Sequence, residues 1–576
     1  MKRWGLVGLV AMVACAPENA LYTGAQGGAC PDVIAGELQG TLQEQGGPPK
    51  DGRASFIIRY RGGDGVSAAS RVSQLGGRVT ARFRNVPAVA ARLSPEEHQD
   101  LVRDPRVESI EPDQEWHSLG MAQLPARDFV RSAVTASVDG EYTDGLLQVQ
   151  ANEVWDLDHD GLPDPQRPTG RGVKVCIIDS GLDLEHPDLK GAVVAGRDFL
   201  ERDDRPSDGI YDAWGSGHGT HVAGILAARP GGGGDSGNML KEGGLVGVAP
   251  EAELIIARVL DMHGRTHMSL VLEALEYCAD EGAKVASLSL GGGFASRTTL
   301  EAFKAAYDNG MLVVAASGND GGRVVSYPAS DPSVLAVGAV DLQDRRASFS
   351  SGGGELGLVA PGVDVLSTFP RRLGAFSTVT AQDTSGRQPL SRPLLNAPHD
   401  TATRQLVDCG EGESLDSCKG STCTGFIAYV RPSRRIPTDV AMVNVMLQGA
   451  SAVIFGNEVM EGGVEILSLP RGGSWVPAVT VNQAGSTVLR RLLSHTVRVE
   501  VMRADYTHMS GTSMAVPYVS GVAALLFSAR PTATPGQVRM AMTSTAKDLG
   551  APGHDDDHGH GLVQARRALE ELGRQP

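Results

Sequence analysis

Three short stretches carry, in this order along the chain, the residue types of nucleophilic catalysis: Ile177-Ile178-Asp179-Ser180-Gly181, His218-Gly219-Thr220-His221-Val222-Ala223-Gly224 and Gly511-Thr512-Ser513-Met514-Ala515-Val516-Pro517. A serine hydroxyl is a poor nucleophile near neutral pH, so Ser513 needs a neighbouring imidazole to take its proton as it attacks a carbonyl. That imidazole must keep one tautomer and tolerate becoming a cation, which calls for a buried carboxylate such as Asp179. Taken singly, each stretch has a plainer reading. An Asp closing the apolar run Val173 to Ile178 suits a turn, two histidines three apart suit a metal, and Gly-Thr-Ser suits the opening of a helix. Together, each followed by small residues, they outweigh those readings.

The order Asp, His, Ser and the residues around each resemble the subtilisin-like serine proteases. The resemblance implies that His218, the first histidine of His-Gly-Thr-His, is the base, and that His221, one turn further along the same helix, is structural. It also implies a role for Ala315-Ala316-Ser317-Gly318-Asn319-Asp320-Gly321, which follows the apolar run Met311 to Val314. There the Asn319 side chain and the Ser513 backbone amide are expected to hold the oxyanion; loss of such a side-chain donor costs about 2.7–4 kcal/mol in subtilisin itself. Ser289-Leu290-Gly291-Gly292 looks like the family strand that pairs with an extended peptide, so substrate is expected to bind by strand addition. Ser289, Gly291, Gly292, Ala316 and Gly318 would line the first specificity pocket, leaving room for a bulky apolar side chain, while Asp320 would also favour a basic one. Broad specificity is the expectation. Gly234-Asp235-Ser236-Gly237 imitates the nucleophile segment of chymotrypsin-like proteases, but it lies in a glycine run with no matching histidine segment and reads as a loop.

The elements around these motifs alternate. Val173 to Ile178, Leu254 to Val259, Val285 to Leu290, Leu312 to Ala316 and Val334 to Val340 are short apolar runs suited to central parallel strands. Helical patterns intervene at His218 to Ala228, Ser269 to Glu281 and Thr299 to Asn309. The fold class expected is α/β: a doubly wound parallel sheet with the active residues at the carboxyl ends of its strands.

Upstream lies a separate small module. Phe56 to Tyr60, Arg78 to Arg84, Ala88 to Leu93 and Val107 to Ile110 read as strands. Ser67 to Leu75 reads as a helix, and Ser94-Pro95-Glu96-Glu97 has the cap, first-turn proline and returning acid that start a second one. This β-α-β-β-α-β order is a split-βαβ (ferredoxin-like) pattern and resembles the inhibitory prodomain of subtilisin-like proteases. Such a template suits an enzyme whose parallel sheet depends on slow, non-local pairing. A generic binding module of the same fold is the plainer reading. The processing cut is expected within His117 to Val149. After Ala360-Pro361-Gly362 more than a hundred residues separate the sheet from Ser513; Gly425 to Val430, the helix-like Thr438 to Leu447, Gly449 to Phe455 and Val476 to Val481 resemble a β-rich protease-associated (PA) domain, which often covers the cleft and selects protein substrates. A structural insertion is the alternative. The division that follows is 1–15 signal peptide, 16–52 linker, 53–117 prodomain, 118–150 activation linker, 151–370 with 506–573 catalytic domain, and 385–505 insertion.

Two acidic segments invite a cation. Asp156, Asp158 and Asp160 alternate ahead of Gly161, with Asp164 beyond, like the start of a calcium loop, although Arg167 stands where the closing bidentate acid belongs. Structural calcium is expected there, against a solvated acidic turn. By resemblance Asp188 matches a calcium ligand of the family, but its partner loop near Gly234 to Gly244 is altered. His554-Asp555-Asp556-Asp557-His558-Gly559-His560 lacks closed zinc spacing and reads as a turn before a final helix, Leu562 to Leu572. No organic cofactor is expected.

The chain start looks like an export signal: Lys2 and Arg3 precede the apolar run Leu6 to Ala14. Met12-Val13-Ala14-Cys15 resembles a bacterial lipoprotein box, which would lipidate Cys15; Ala14-Cys15-Ala16 also serves as an ordinary cleavage site. Of seven cysteines, Cys409, Cys418 and Cys423 cluster where a short disulfide is plausible with its pairing open, and Cys176 and Cys278 read as buried apolar fillers. No apolar run is expected to span a bilayer, so membrane contact would come through a lipid anchor, at the outer membrane or cell surface. A net charge of −16, from 52 Lys and Arg against 68 Asp and Glu, makes nucleic acid an unsuitable partner. The partners expected are protein or peptide substrates and the chain's own prodomain. The competing class is a surface-bound binding protein with a vestigial triad.

Overall fold

The computed structural model describes residues 52–575 except 63–64, 120–140, 209–216, 235–243, 382–388, 395, 419–424, 432, 434, 458–466, 468 and 471–472. The signal, Cys15, Cys423 and most of the Gly-Asp-Ser-Gly loop lie outside the described residues.

Seven strands form one sheet, in the order Leu356–Pro361, Val334–Val340, Leu312–Ala316, Val285–Leu288, Lys174–Asp179, Glu253–Arg258, Val193–Asp198. Every neighbouring pair is parallel. Parallel strands covered on both faces must be apolar throughout, and Leu312–Ala316 and Val334–Val340 are buried at every position. Helices His218–Ala227 and Thr512–Ala529 pack together on the sheet, and Met268–Asp280 and Arg297–Asp308 pack together against Lys174–Asp179, Glu253–Arg258 and Leu312–Ala316 of it. The five expected strands are present within a residue or two, except that Val285 to Leu290 is split at Ser289 into Val285–Leu288 and Leu290–Gly291. The final helix runs Ala565–Arg574 rather than from Leu562, which pairs with Lys547 and Val359 instead. One described helix, Thr512–Ala529, reaches 18 residues with a mean hydropathy of 1.4, contrary to the expectation for spanning length; 89% of it is buried, which makes it the central core helix.

Cys176 and Cys278 are not independent fillers. They form a disulfide joining the strand that ends at Asp179 to the helix Met268–Asp280 across a sequence separation of 102 residues. On the chain-entropy account a loop of that size stabilises the fold by about 4.7 kcal/mol. Cys409 pairs with Cys418 in the insert.

The amino-terminal module is a four-stranded antiparallel sheet ordered Arg78–Arg82, Ala88–Leu93, Ala54–Tyr60, Val107–Pro112, with helices Gly65–Gln74 and Pro95–Val102. The Ser94 to Glu97 capping box is present. This module sits on the helices Met268–Asp280 and Arg297–Asp308. Arg59, 1% exposed, donates to Glu301 at 2.6 Å, and Asp113 accepts from the Ser269 amide at 2.9 Å, capping the first of those helices.

Two boundaries differ from expectation. Residues 118–150 are not all linker: Ser118 ends a strand, while Leu146, within helix Asp144–Gln148, and Val149, just after it, belong to the main core. The insert's seven-stranded mixed sheet already begins at Gly374–Ala381, not at 385, because that strand pairs along its length with Thr496–Ala504. The insert springs from the hairpin of Val365–Thr368 with Tyr506–Met509.

Candidate active site

Asp179 is the last residue of its strand, and its Oδ1 lies 2.7 Å from His218 Nδ1, with both side chains buried. His218 opens its helix behind Gly217, whose φ of +94° and whose closeness to the Phe369 ring leave no space for a Cβ. One residue on, a Cβ on Gly219 would fall 2.2 Å from the Gly181 carbonyl oxygen, so glycine there lets the base helix meet the acid strand. Burial pushes the His218 imidazole down, but the charge and hydrogen bond of Asp179, with the charge of Asp208, outweigh it and leave the pKa raised. A cation at a helix amino terminus is disfavoured; the carboxylate offsets that.

Ser513 is the second residue of the helix Thr512–Ala529, where backbone amides lack helical partners. Pro517 in that helix carries no N–H for the Ser513 carbonyl four residues earlier. That carbonyl instead accepts from Ser289 Oγ at 2.9 Å, while Ser513 Oγ donates to the Ser289 carbonyl at 3.0 Å. The Gly-Thr-Ser-Met-Ala-Val-Pro motif thereby ties the nucleophile to the peptide-binding strand. The hydrogen-bonded row is closed between Asp179 and His218 and open between His218 and Ser513: His218 Nε2 has no partner among the described residues. A turn of the Ser513 hydroxyl away from Ser289 is needed to close it.

Asn319 follows the strand Leu312–Ala316, and its Oδ1 accepts from the Thr512 amide and hydroxyl, each at 2.9 Å, which orients its Nδ2. That Nδ2 donates to the carbonyl of Leu119. Gly318 N donates to Thr512 Oγ1 at 3.4 Å, Gly292 N to the Tyr327 carbonyl at 2.8 Å, and Asp320 N to Ser351 Oγ at 3.3 Å.

The strand expected to take substrate is paired. Glu115–Ser118 lies between Leu290–Gly291 and Arg265–His267 as the middle strand of a three-stranded antiparallel sheet. The chain's own tail therefore occupies the cleft.

His221 is fully buried, with Nε2 at 3.1 Å from the Val365 carbonyl and 3.3 Å from that of Thr507; burial, then the charge of His218, pushes it to about 3, so it is neutral and donates to them. It pins the base helix to the hairpin from which the insert springs. Asp208 went unread in the sequence. Its Oδ1 accepts from Ser180 Oγ at 3.0 Å and Gly217 N at 2.7 Å, and its Oδ2 from Thr220 N at 3.1 Å and Thr220 Oγ1 at 2.7 Å. Burial raises it to about 6 despite these bonds. The one available signal was an acid shortly before a helix with no other cap.

Of the acidic loop, Asp156, Asp158 and Asp164 each bring an oxygen within 4.8 Å of the others; Asp160 stays outside and accepts from the Leu162 amide at 2.9 Å. Asp156 is fully buried, accepts from the backbone amides of Asp160 and Gly161, and is raised chiefly by that burial. Asp188 is buried too, but Tyr506 Oη at 2.9 Å and the Leu245 amide at 3.0 Å hold its Oδ2, and no carboxylate cluster forms there among the described residues. His554 bonds the Leu356 carbonyl and meets the His560 ring edge-on, and no metal-ligating group forms there among the described residues.

A parallel α/β sheet that carries an acid, a base and an alcohol at its carboxyl ends, with an amide donor beside them, defines a serine hydrolase. Residues 170–392 and 461–561 match the Subtilase family, and 68–118 match Peptidase inhibitor I9. The chain is 36% identical to M-protease of Shouchella clausii (strain KSM-K16) over 317 residues, 55% of this chain and 71% of that protein. To subtilisin E of Bacillus subtilis (strain 168) it is 35% identical over 303 residues, 52% of this chain and 68% of that one. The solved subtilisin-like protease Apa1 of Pseudoalteromonas sp. AS-11 superposes with a TM-score of 0.55 at 30% identity, over 74% of this chain and 96% of Apa1. The chain belongs to the subtilase family: it is a serine-type endopeptidase carrying an I9-type propeptide, a zymogen.

Proposed function

We propose that this zymogen is an exported endopeptidase that processes itself and then cleaves protein substrates through an acyl-enzyme on Ser513. The observation that carries the reading is the tail strand Glu115–Ser118 in the cleft, with the carbonyl of Leu119 on Asn319 Nδ2. His218 takes the Ser513 proton at Nε2 as Oγ attacks, Asp179 holds the other ring nitrogen, and Asn319 with the Ser513 amide receives the oxyanion. Collapse of the tetrahedral adduct sends the proton to the leaving amine, and water then cleaves the ester. The amino-terminal module acts as inhibitor because its tail, Glu115–Ser118 with Leu119, fills the cleft. Supporting export are the Lys2-Arg3 and apolar start and, for surface anchoring, Cys15. The insert, attached beside the base helix, is assigned to selection of protein substrates.

A fluorophosphonate probe applied after removal of the prodomain is expected to label Ser513, read by mass spectrometry of the labelled peptide. Absence of label would favour the surface-bound binding protein.

Calcium is assigned to Asp156, Asp158 and Asp164, because a buried carboxylate beside two more, with oxygens within 4.8 Å of one another, is a hard-cation donor set. Bound there, the ion would supply charge neutralisation to the turn before the first core strand. Chelator is expected to lower the Tm of the mature enzyme by several degrees, on the order of 1–2 kcal/mol for a ligand lost from the native state alone. An unchanged midpoint would remove the ion from the account.

A further inference from the structure

The insert reaches back towards the nucleophile through a buried charged contact. Arg392 lies in the strand Ser391–Pro393, whose pairing with Ala478–Val481 fixes it in the insert's sheet. Its guanidinium meets the catalytic domain at Asp364, with Nε donating to Oδ1 at 3.2 Å and Nη2 to Oδ2 at 3.1 Å. The Arg392 and Asp364 side chains are 8% and 4% exposed. A buried two-bond fork of this kind fixes orientation as well as charge, and loss of one partner strands the other. His508, on the strand that runs beside Val365–Thr368, is held neutral. Burial, then the charge of Arg392, pushes it to about 3, so it brings no charge of its own to the pair near neutral pH.

Asp364 is joined through the backbone to the segment that leads into Ser513. Its amide donates to Ser510 Oγ at 2.9 Å, and two residues earlier the Gly362 carbonyl accepts from the Gly511 amide at 2.9 Å. A Cβ on Gly362 would lie 2.9 Å from the Gly511 carbonyl oxygen, so glycine lets the two backbones run in contact. On its other side Gly362 N donates to the Val340 carbonyl at 3.0 Å, which ties both segments to the central sheet. Asp364 itself has a φ of +51°, a left-handed conformation that persists when surrounding structure holds it. The Arg392 fork supplies such a hold. Directly after Gly511, Thr512 opens the helix that carries Ser513, and its amide and hydroxyl are the groups that orient Asn319. Where Gly511 sits therefore sets the Ser513 hydroxyl and both oxyanion donors together.

We propose that Arg392 is a positioning residue for the reaction: through Asp364 the insert holds residues 362–364 against Ser510 and Gly511, and so fixes where the nucleophile's helix begins. Resting on the acyl-enzyme reading at Ser513, this role ties the insert to the chemical step as well as to substrate choice.

Full-length chains carrying Arg392→Ala, Arg392→Lys, or Arg392→Met together with Asp364→Asn are compared with wild type, each after removal of the prodomain and at a temperature where its melt shows a folded state. Two properties are read: the rate at which a fluorophosphonate labels Ser513, and kcat with KM for a short chromogenic peptide. Arg392→Ala is expected to lower the labelling rate and kcat together by about tenfold to a hundredfold, the loss that misplacing a reacting group by about 1 Å brings, with KM level. Arg392→Lys keeps the charge without the fork and should recover only part of the rate. The neutral pair strands no charge, so it should fold even where Arg392→Ala does not, and its kcat should stay low. Arg498→Ala, which breaks the insert's own pair with Glu500 at 3.0 Å, should behave as wild type. Wild-type rates in the neutral pair, a raised KM with kcat unchanged, or an equal loss in Arg498→Ala would overturn the positioning role. Wild type that takes no label would instead overturn the acyl-enzyme reading on which that role rests.

Discussion

Ser513→Ala is expected to remove peptidase activity, with kcat lower by about 10⁶-fold, the size established for the nucleophile of subtilisin, and to leave the full-length precursor uncut. Without the hydroxyl no ester forms, and only oxyanion binding and positioning remain to act on a water. The fold should survive. The substitution deletes one neutral hydrogen bond, from Ser513 Oγ to the Ser289 carbonyl at 3.0 Å, and keeps the bond from Ser289 Oγ to the Ser513 carbonyl at 2.9 Å. Such a loss is worth about 1 kcal/mol. Gel analysis of expressed precursor, together with a thermal melt, separates chemical from structural effects: a precursor that cuts itself at the wild-type rate would take Ser513 out of the mechanism.

Asp179→Asn is expected to lower kcat by about 10⁴-fold, as in other serine proteases where the orienting carboxylate is neutralised. It should also move the pH profile. The base acts only when neutral, so activity falls as pH drops through the His218 pKa. In the native site burial pushes that value down, and Asp179, with Asp208, more than compensates, so the acid limb lies above the ordinary imidazole range. With Asn at 179 the burial persists and the nearer negative charge is gone. The imidazolium is then less stable and the acid limb of kcat/KM shifts to lower pH. A limb that stays in place while kcat falls would mean that Asp179 does not set the charge state of His218.

Much of this site was legible because its chemistry demands unusual residues at short spacings. Pro517 four residues after Ser513, Gly219 beside His218 and Asn319 after an apolar run are local patterns that a helix start or a strand end makes necessary. The prodomain was equally readable, since its capping box and alternating runs are local. Less was readable where partners are distant. Cys176 and Cys278 each fit an apolar stripe, and only the packing of Met268–Asp280 against Lys174–Asp179 brings their sulfurs together. The edge strands Val193–Asp198 and Leu356–Pro361 were missed, the first because its half-exposed positions break the apolar run. Asp208 gave no motif because its four donors come from Ser180, Gly217 and Thr220, gathered only when the base helix docks on the acid strand. Asp160 reads like its neighbours in the acidic loop, yet a backbone amide takes its oxygen and turns it from the cluster.

The amino-acid order by itself determined which side chains do the chemistry, the class of sheet that holds them, and the presence of a small split-βαβ module ahead of them, because periodicity, caps and motif spacing are properties of neighbours along the chain; that the module inhibits is what its family resemblance implies. Tertiary structure alone decided which tail residue meets the oxyanion donor, which cysteines join, which buried carboxylate braces the base helix, and that the Ser513 hydroxyl rests on Ser289 with His218 Nε2 left open. Those outcomes depend on pairing between segments tens to hundreds of residues apart, where register and burial are set by the whole packed core.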